Sequence, residues 1–258
     1  MRALRILVCN DDGIDAPGLA LLADVARGMS DDVWTVAPEH KWSAASHQIT
    51  FGRDLALTAR GEQTYACSGA PADCVIAALT ILLADRAPDL VLAGINDKPN
   101  VGEDAAYSGT LAIAREATFH GIPAIALSRH ERWPDTPAEV AALRRLLAAL
   151  WHTRSEWAAD ACWLAVVLAN ALPAPLAFPR TARDKIGAAT EVLERSAQRI
   201  VYRLRRGRPG MAREGDENAH LQAGAMLVVR QRWECAAPLD EDLAERWSAA
   251  LADDAPLA

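Results

Sequence analysis

The sequence predicts an α/β protein built on a Rossmann-like, doubly wound, mainly parallel sheet, with a smaller C-terminal β-hairpin and helix appendage. Three observations predict it. An apolar run, Leu4 to Cys9, is followed by a helical pattern from Gly18 to Met29 and a second β run, Val33 to Ala37. Strand, helix, strand in close succession is the βαβ pattern of a parallel sheet. Further buried β runs, Leu90 to Ala93 and Pro123 to Ser128, flank a helical stretch from about Leu111 to His120. Last, the composition shifts near residue 185, and Thr190 to Arg205 then alternates apolar and basic residues like an outward-facing strand. That shift divides the chain into an α/β domain, 1–185, and an appendage, 186–258.

The elements follow in order. Leu19, Leu22, Val25 and Ala26 recur at helical spacing, and Pro38 ends the second β run. Phe51 to Thr64 alternates weakly, as a hairpin would. Ser68-Gly69-Ala70-Pro71-Ala72-Asp73-Cys74 is a turn leading into an apolar helix that runs to about Leu83, with Asp73 as the expected N-cap. Pro137 to Trp157 is helical, and its stripe of Leu143, Leu146, Leu147 and Leu150 is core packing. Trp163 to Phe178 is apolar and broken by prolines. Ala225 to Arg232 is a strand, and Leu239 to Leu251 a terminal amphipathic helix.

Composition narrows the function. The chain has 258 residues, 51% of them apolar, which suits a packed core. No apolar run reaches the roughly 18 residues of a membrane span. The first strand begins within a few residues of Met1, so no secretory leader is expected. Cys9, Cys67, Cys74, Cys162 and Cys235 have neither zinc-ribbon nor Cys-x-x-Cys spacing, as expected of reduced thiols in a cytoplasmic protein. A net charge of −7 disfavours nucleic-acid backbone as a partner. One basic run, Arg199, Arg203, Arg205, Arg206, Arg208 and Arg213, reads as a solvated hairpin or partner surface rather than a phosphate site.

Asn10-Asp11-Asp12-Gly13 carries the chemistry. Two adjacent carboxylates lie where a buried strand ends, the edge at which open α/β sheets bind ligands. Side by side they repel unless a cation or proton lies between them, which points to a divalent metal site. The Gly-x-Gly-x-x-Gly signature of dinucleotide enzymes is missing from this turn. The polar stretch Glu39 to Thr50, with Ser43, Ser46 and His47, follows the second strand onto the same edge. The loop Gly94 to Gly102 is rich in Gly and Asn, residues that bring backbone groups close to a ligand. Ser108 and Thr110 stand at a helix start, which serves either as a phosphate site or as plain N-capping. His47 and His120 are candidate acids, although lone histidines are more often structural.

Five motifs in order carry a family resemblance over roughly residues 4 to 130. They are Asn10-Asp11-Asp12-Gly13, the Ser43 region, Gly69-x-Pro71-x-Asp73-Cys74, Gly94-Ile95-Asn96 with Asn100-x-Gly102, and Tyr107-Ser108-Gly109-Thr110. The chain resembles SurE, the survival protein E family of metal-dependent 5′/3′-nucleotidases. The resemblance implies metal ligands at Asp11, Asp12, Ser43 and Asn96, and Mg²⁺ or Mn²⁺ as the ion. It also implies hydrolysis of nucleoside monophosphates, with short polyphosphate as a possible side substrate. A homodimer or homotetramer is implied too, in which the C-terminal hairpin and helix exchange between subunits. In this reading Asp11 and Asp12 are catalytic, with Asp12 the candidate proton acceptor. Asn100, Ser108, Gly109 and Thr110 hold the phosphate.

The chain departs from the family at three places. Ala44 replaces a glycine after the serine. Lys98 replaces the middle glycine of the Gly-Ile-Asn loop, so that either the loop differs or a phosphate contact is added. Gly224 to Val229 lacks the family's Gly-Tyr-x-Ser-x-Thr-Pro-Leu strand. These departures keep two other readings open: a nucleotide-binding protein with impaired catalysis, and a phosphatase for another phosphorylated small molecule.

Overall fold

A computed structural model describes residues 3–183, 190–204 and 212–233, together with Asp242 and Glu245. In chain order the elements are β1 (Arg5–Cys9), α1 (Pro17–Arg27), β2 (Asp32–Pro38), β3 (Leu57–Gly61), β4 (Thr64–Cys67), α2 (Pro71–Ala77), β5 (Leu90–Asn96), α3 (Asp104–Tyr107), α4 (Gly109–Phe119), β6 (Ala124–Arg129), α5 (Pro137–His152), α6 (Arg154–Trp157), β7 (Cys162–Leu168), β8 (Leu176–Ala177), β9 (Thr190–Arg195), β10 (Ile200–Leu204), α7 (Glu217–Gln222) and β11 (Met226–Arg232). A π-helical turn, Ala78–Leu82, continues α2.

Nine strands form one sheet in the order β3-β4-β2-β1-β5-β6-β7-β11-β8. The run from β4 to β7 is parallel; β3 and β11 enter antiparallel to β4 and β7. The alternating side chains of β1 explain the layers. Ile6 and Val8 face a core shared with α1 and α5, while Leu7 and Cys9 face one shared with α2 and α4. A parallel sheet buried on both faces needs such continuous apolar strands. This is the doubly wound α/β class that the sequence predicts. The order reverses at β1, with β2 on one side and β5 on the other. That reversal opens a crevice beyond the C-terminal ends of β1 and β5.

Local details differ from expectation. The weakly alternating stretch does make a hairpin, but its strands are β3 and β4. Thr190 to Arg205 divides into two antiparallel strands, β9 and β10, a separate two-stranded sheet. Asp73 is not an N-cap. Ala70 holds that position, and Asp73 reaches back to accept from the Ala70 N–H (2.8 Å) and from Thr50 N–H (3.0 Å). Cys9, Cys67, Cys74 and Cys162 are unpaired and buried. Among the described residues no helix is long and apolar enough to cross a membrane. Arg205, Arg206 and Arg208, Cys235, the boundary near residue 185 and most of the expected terminal helix lie outside the described residues.

Candidate active site

The site begins with the turn that ends β1. The Asn10 side chain accepts from Gly13 N–H (3.2 Å) and donates to the Gly13 carbonyl (3.0 Å), closing a tight loop. From this loop Asp11 and Asp12 meet different partners.

Asp11 faces the start of α4. Its Oδ1 accepts from the Thr110 hydroxyl at 2.6 Å, and both residues are buried. The fit is close: a Cβ added to Gly109 would lie 2.8 Å from Asp11 Cβ and 2.9 Å from its Oδ2. Only glycine allows a carboxylate this near the helix N-terminus. Burial, helped by the neighbouring Asp12 charge, pushes the Asp11 carboxyl up to about 6, against the pull of the Thr110 hydrogen bond. Ser108 is the N-cap of α4, its Oγ accepting from Leu111 N–H at 3.1 Å. The first N–H groups of a helix have no intrahelical carbonyl, and the helix dipole adds positive potential there.

Asp12 faces the end of β5 instead. Its Oδ2 accepts from Asp97 N–H at 3.2 Å, and its Oδ1 takes an ion pair from the Lys41 ammonium. Lys41 also pairs with Asp97 at 2.8 Å. Burial pulls the Lys41 ammonium down, but the hydrogen bonds to Asp12 and Asp97 outweigh it and hold the group above its ordinary value.

The remaining candidates divide in two. Asn96 ends β5; its amide donates to the Lys98 carbonyl (2.6 Å) and to Asn100 Oδ1 (3.4 Å). Asn100 N–H donates to Ser128 Oγ at 3.2 Å, while its own buried Nδ2 has no hydrogen-bond partner. Ser43 is exposed in the turn after Trp42, and among the described residues no hydrogen bond ties it to Asp11, Asp12 or Asn96. The loop that carries it is nonetheless fixed to the site. Trp42 N–H donates to the Asp11 carbonyl (2.7 Å), and Ser46 bonds the Ala106 and Tyr107 carbonyls (2.9 and 3.0 Å). Ala44 adopts φ +56°, the left-handed region that favours glycine, whereas Lys98 is not among the residues with positive φ. His47 and His120 both bond the buried Glu116, at 2.8 and 3.1 Å.

Four residues escaped the sequence reading: Lys41, Asp97, Arg129 and Trp133. With Asp12, Gly13, Asp15, Ala16, Pro17 and Gly18 they line a cleft of about 540 Å³. Arg129 ends β6 and the other three follow strand ends, and that position was the one signal able to find them. The available donors at the base of this crevice are carboxylate, amide and hydroxyl oxygens. Among the described residues no group of three or more His, Cys, Asp or Glu is placed to hold a metal.

The sequence profile of the family described as Survival protein SurE matches residues 6–197. A 5′-nucleotidase SurE from Methylobacterium radiotolerans is 53% identical over 126 residues, 49% of this chain and 50% of that protein. Another from a Methylobacterium species is 46% identical over 155 residues, covering 57% and 61%. The match thus spans about half the length of the curated relatives. The crystal structure of a SurE protein from Aquifex aeolicus superposes with a TM-score of 0.74 at 26% identity, covering 96% of this chain and 100% of that one.

Proposed function

The chain belongs to the survival protein SurE family, and on that premise we propose that it hydrolyses nucleoside monophosphates to nucleoside and phosphate. One observation carries the reading. Asp11 abuts a helix N-terminus and Asp12 abuts the end of β5, so the crevice at the strand-order reversal joins carboxylate donors to an anion-seeking helix start. The donor set is all oxygen, and the Lys41 ammonium against Asp12 and Asp97 marks the position as one that attracts a cation. Asp11, Asp12, Ser43 and Asn96 would hold Mg²⁺ or Mn²⁺, hard ions that take oxygen ligands. When bound, such an ion neutralises phosphoryl charge and lowers the pKa of water.

The residues of the chain do the rest. The N-terminus of α4, at Ser108, Gly109 and Thr110, orients the phosphate by backbone N–H groups and dipole. The unpartnered Nδ2 of Asn100 is a further donor to a phosphate oxygen. Asp12, the less buried of the two carboxylates, accepts the proton of the attacking water. The appendage, 186–258, serves assembly: β9 and β10 expose the apolar side chains Val192, Leu193, Ile200, Tyr202 and Leu204, which a second copy would cover. Short polyphosphate is a secondary substrate of the same site. The test is phosphate release from AMP, GMP and tripolyphosphate with and without added Mg²⁺ or Mn²⁺. Metal-dependent release that disappears in Asp11→Asn supports the reading; metal-replete protein inert on a panel of mononucleotides refutes it.

One observation favours a second reading, a nucleotide-binding protein without turnover. Lys41 already neutralises Asp12. Calorimetric binding of AMP with no phosphate released would select that reading.

A further inference from the structure

The loop after β5, which carries Asn96 and Asn100, is held at its far end by a part of the chain remote in sequence. Gly102 N–H donates to Glu217 Oε2 at 2.7 Å. The same oxygen accepts from Ala182 N–H at 2.9 Å. Glu217 is the first residue of α7 and is buried.

A carboxylate is a costly choice at this junction. Val101, Val167, Ala177, Leu221, Ala225 and Leu227 form a small apolar core. Val101 adjoins Gly102 in the loop, and Leu221 lies one turn along α7 from Glu217. A buried carboxylate is unfavourable unless hydrogen bonds offset it. Glu217 does what an apolar side chain cannot: one of its oxygens satisfies main-chain N–H groups from two separate segments. Among the described residues neither N–H has another acceptor, so without Glu217 two donors would be left buried and unpaired. The nearby pair of Arg183 with Glu103, at 2.9 Å, is mostly exposed on the arginine side and adds little.

The effect of this staple reaches the site in two steps. Asn100 N–H donates to Ser128 Oγ at 3.2 Å, so residues 100–102 are pinned from β6 on one side and from α7 on the other. The Asn96 amide then donates to the Lys98 carbonyl (2.6 Å) and to Asn100 Oδ1 (3.4 Å). With Nδ2 engaged twice, Oδ1 is the atom of Asn96 left for a hard cation, and its orientation depends on where residues 98 and 100 are held.

We propose that Glu217 is a positioning residue for the divalent ion: through Gly102 and Asn100 it fixes the Asn96 amide that would ligate it. The proposal rests on the nucleotidase reading, which puts Asn96 on the ion, and adds a support from the C-terminal part of the chain. The test uses the full chain. It combines calorimetric titration of Mn²⁺ without substrate and the Mg²⁺ concentration for half-maximal phosphate release from AMP. The proteins are wild type, Glu217→Met, Glu217→Gln, Asn96→Ala and the double variant of Glu217→Met with Asn96→Ala. Glu217→Met keeps the length and removes the acceptor. It should weaken Mn²⁺ binding and raise the Mg²⁺ requirement about tenfold, the low end for loss of a group that orients a metal ligand. At saturating Mg²⁺ its kcat should stay within about twofold of wild type, whereas a merely structural role would lower activity at every Mg²⁺ concentration. Glu217→Gln retains an oxygen for both N–H groups and should stay within about threefold of wild type. In Asn96→Ala, adding Glu217→Met should cost less than about a further twofold, because the two residues act as a unit. Where Glu217→Met does not fold, Glu217→Asp, too short to reach both donors, carries the same test. Leu147→Ala, in the core shared with α5, is the control: it should lower the melting temperature and leave Mn²⁺ affinity unchanged.

Mn²⁺ affinity unaltered in folded Glu217→Met or Glu217→Asp overturns the proposal, as do additive losses in the double variant or an equal loss in Leu147→Ala. A wild type that hydrolyses AMP in chelator, with no Mn²⁺ bound in the titration, overturns it while leaving nucleotide hydrolysis standing. Glu217-dependent Mn²⁺ binding in a protein that hydrolyses no nucleotide supports it and removes the nucleotidase reading instead. A wild type with neither property overturns both.

Discussion

Asp11 and Asp12 are neighbours in the chain, yet they occupy opposite environments. Asp11 is shut into a buried seam against Gly109 and Thr110. Asp12 opens onto the cleft, in a charge network with Lys41 and Asp97. The difference shows how one turn makes two kinds of carboxylate. Burial raises the proton affinity of the first, so its ionised form calls for a cation. The ammonium beside the second has already answered that call from within the chain. A site built this way is destabilised on the Asp11 side and compensated on the Asp12 side, which is how active sites are commonly poised.

The comparison is broken most severely at Asp11. On the proposed mechanism Asp11→Asn should reduce phosphate release by more than about 100-fold, the scale of a lost metal ligand and its charge stabilisation. The same change should stabilise the chelator-treated protein. A carboxyl raised from 3.8 to about 6 costs stability when ionised: the cost is full above the folded value, fades as pH falls through 6, and is gone below 3.8. At pH 7 it amounts to about 3 kcal/mol. Chemical denaturation in chelator at pH 7 and pH 4 checks this, with a gain for Asp11→Asn at pH 7 that vanishes at pH 4. An equal gain at both pH values would mean that Asp11 is not a buried charge.

Gly109→Ala attacks the other wall of the seam. The added Cβ would lie 2.8 Å from Asp11 Cβ, closer than packed carbons come, and α4 must shift or Asp11 must turn. Overpacking of this kind costs about 1–3 kcal/mol. Activity should fall at least tenfold, since a displacement of about 1 Å in a positioned site can cost 100-fold. Melting temperature and phosphate release, measured together, separate the two effects.

Lys41 sharpens the comparison from the Asp12 side. Lys41→Met removes the internal cation and leaves Asp12 and Asp97 uncompensated. The Mg²⁺ concentration needed for half-maximal activity should fall about tenfold, a change of roughly 1.4 kcal/mol in affinity. A rise instead would show that Lys41 helps to hold the substrate rather than competing with the ion.

The sheet was legible because its signals were local. The apolar runs of β1, β5 and β6, and the 3.6-residue stripe of α1, depend on burial that each segment declares by itself. Asp11 and Asp12 drew attention for a local reason too: two adjacent carboxylates directly after an apolar strand repel unless a cation or proton lies between them. The partners were not legible. Nothing local says that Lys41 will bridge to Asp97, or that Arg129 will lie on Trp133, because those pairs depend on which strand ends the topology brings side by side. The Asp73 misreading has the same origin. Its position before an apolar helix looks like a cap, but Pro71 starts the helix two residues earlier, and the carboxylate reaches back from the third position. Ala44 differs again: a non-glycine residue at φ +56° hides a turn that a glycine would have announced.

The smallest expected effect lies where the two sides are tied together. Glu116, on α4, accepts from His47 on the loop that carries Ser43, and from His120 one turn along its own helix. Burial pushes its carboxyl up, but His47 and His120 outweigh that and hold it below its ordinary value. A depressed carboxyl contributes stability that is present above its unfolded value, 4.5, and is lost as pH falls through the lower folded value. Glu116→Gln keeps the shape and removes the charge. It should cost about 1–2 kcal/mol at pH 6, in line with loss of a charge-assisted hydrogen bond, with the cost shrinking below pH 4. Phosphate release should change less than in Gly109→Ala, because Glu116 anchors the loop without touching Asp11 or Asp12. A stability difference that is flat between pH 3 and pH 6 would mean that the ion pair is not what ties the loop to α4. Stacking of His47 on Phe119, whose ring centroids lie 5.5 Å apart, would then be the contact that does so.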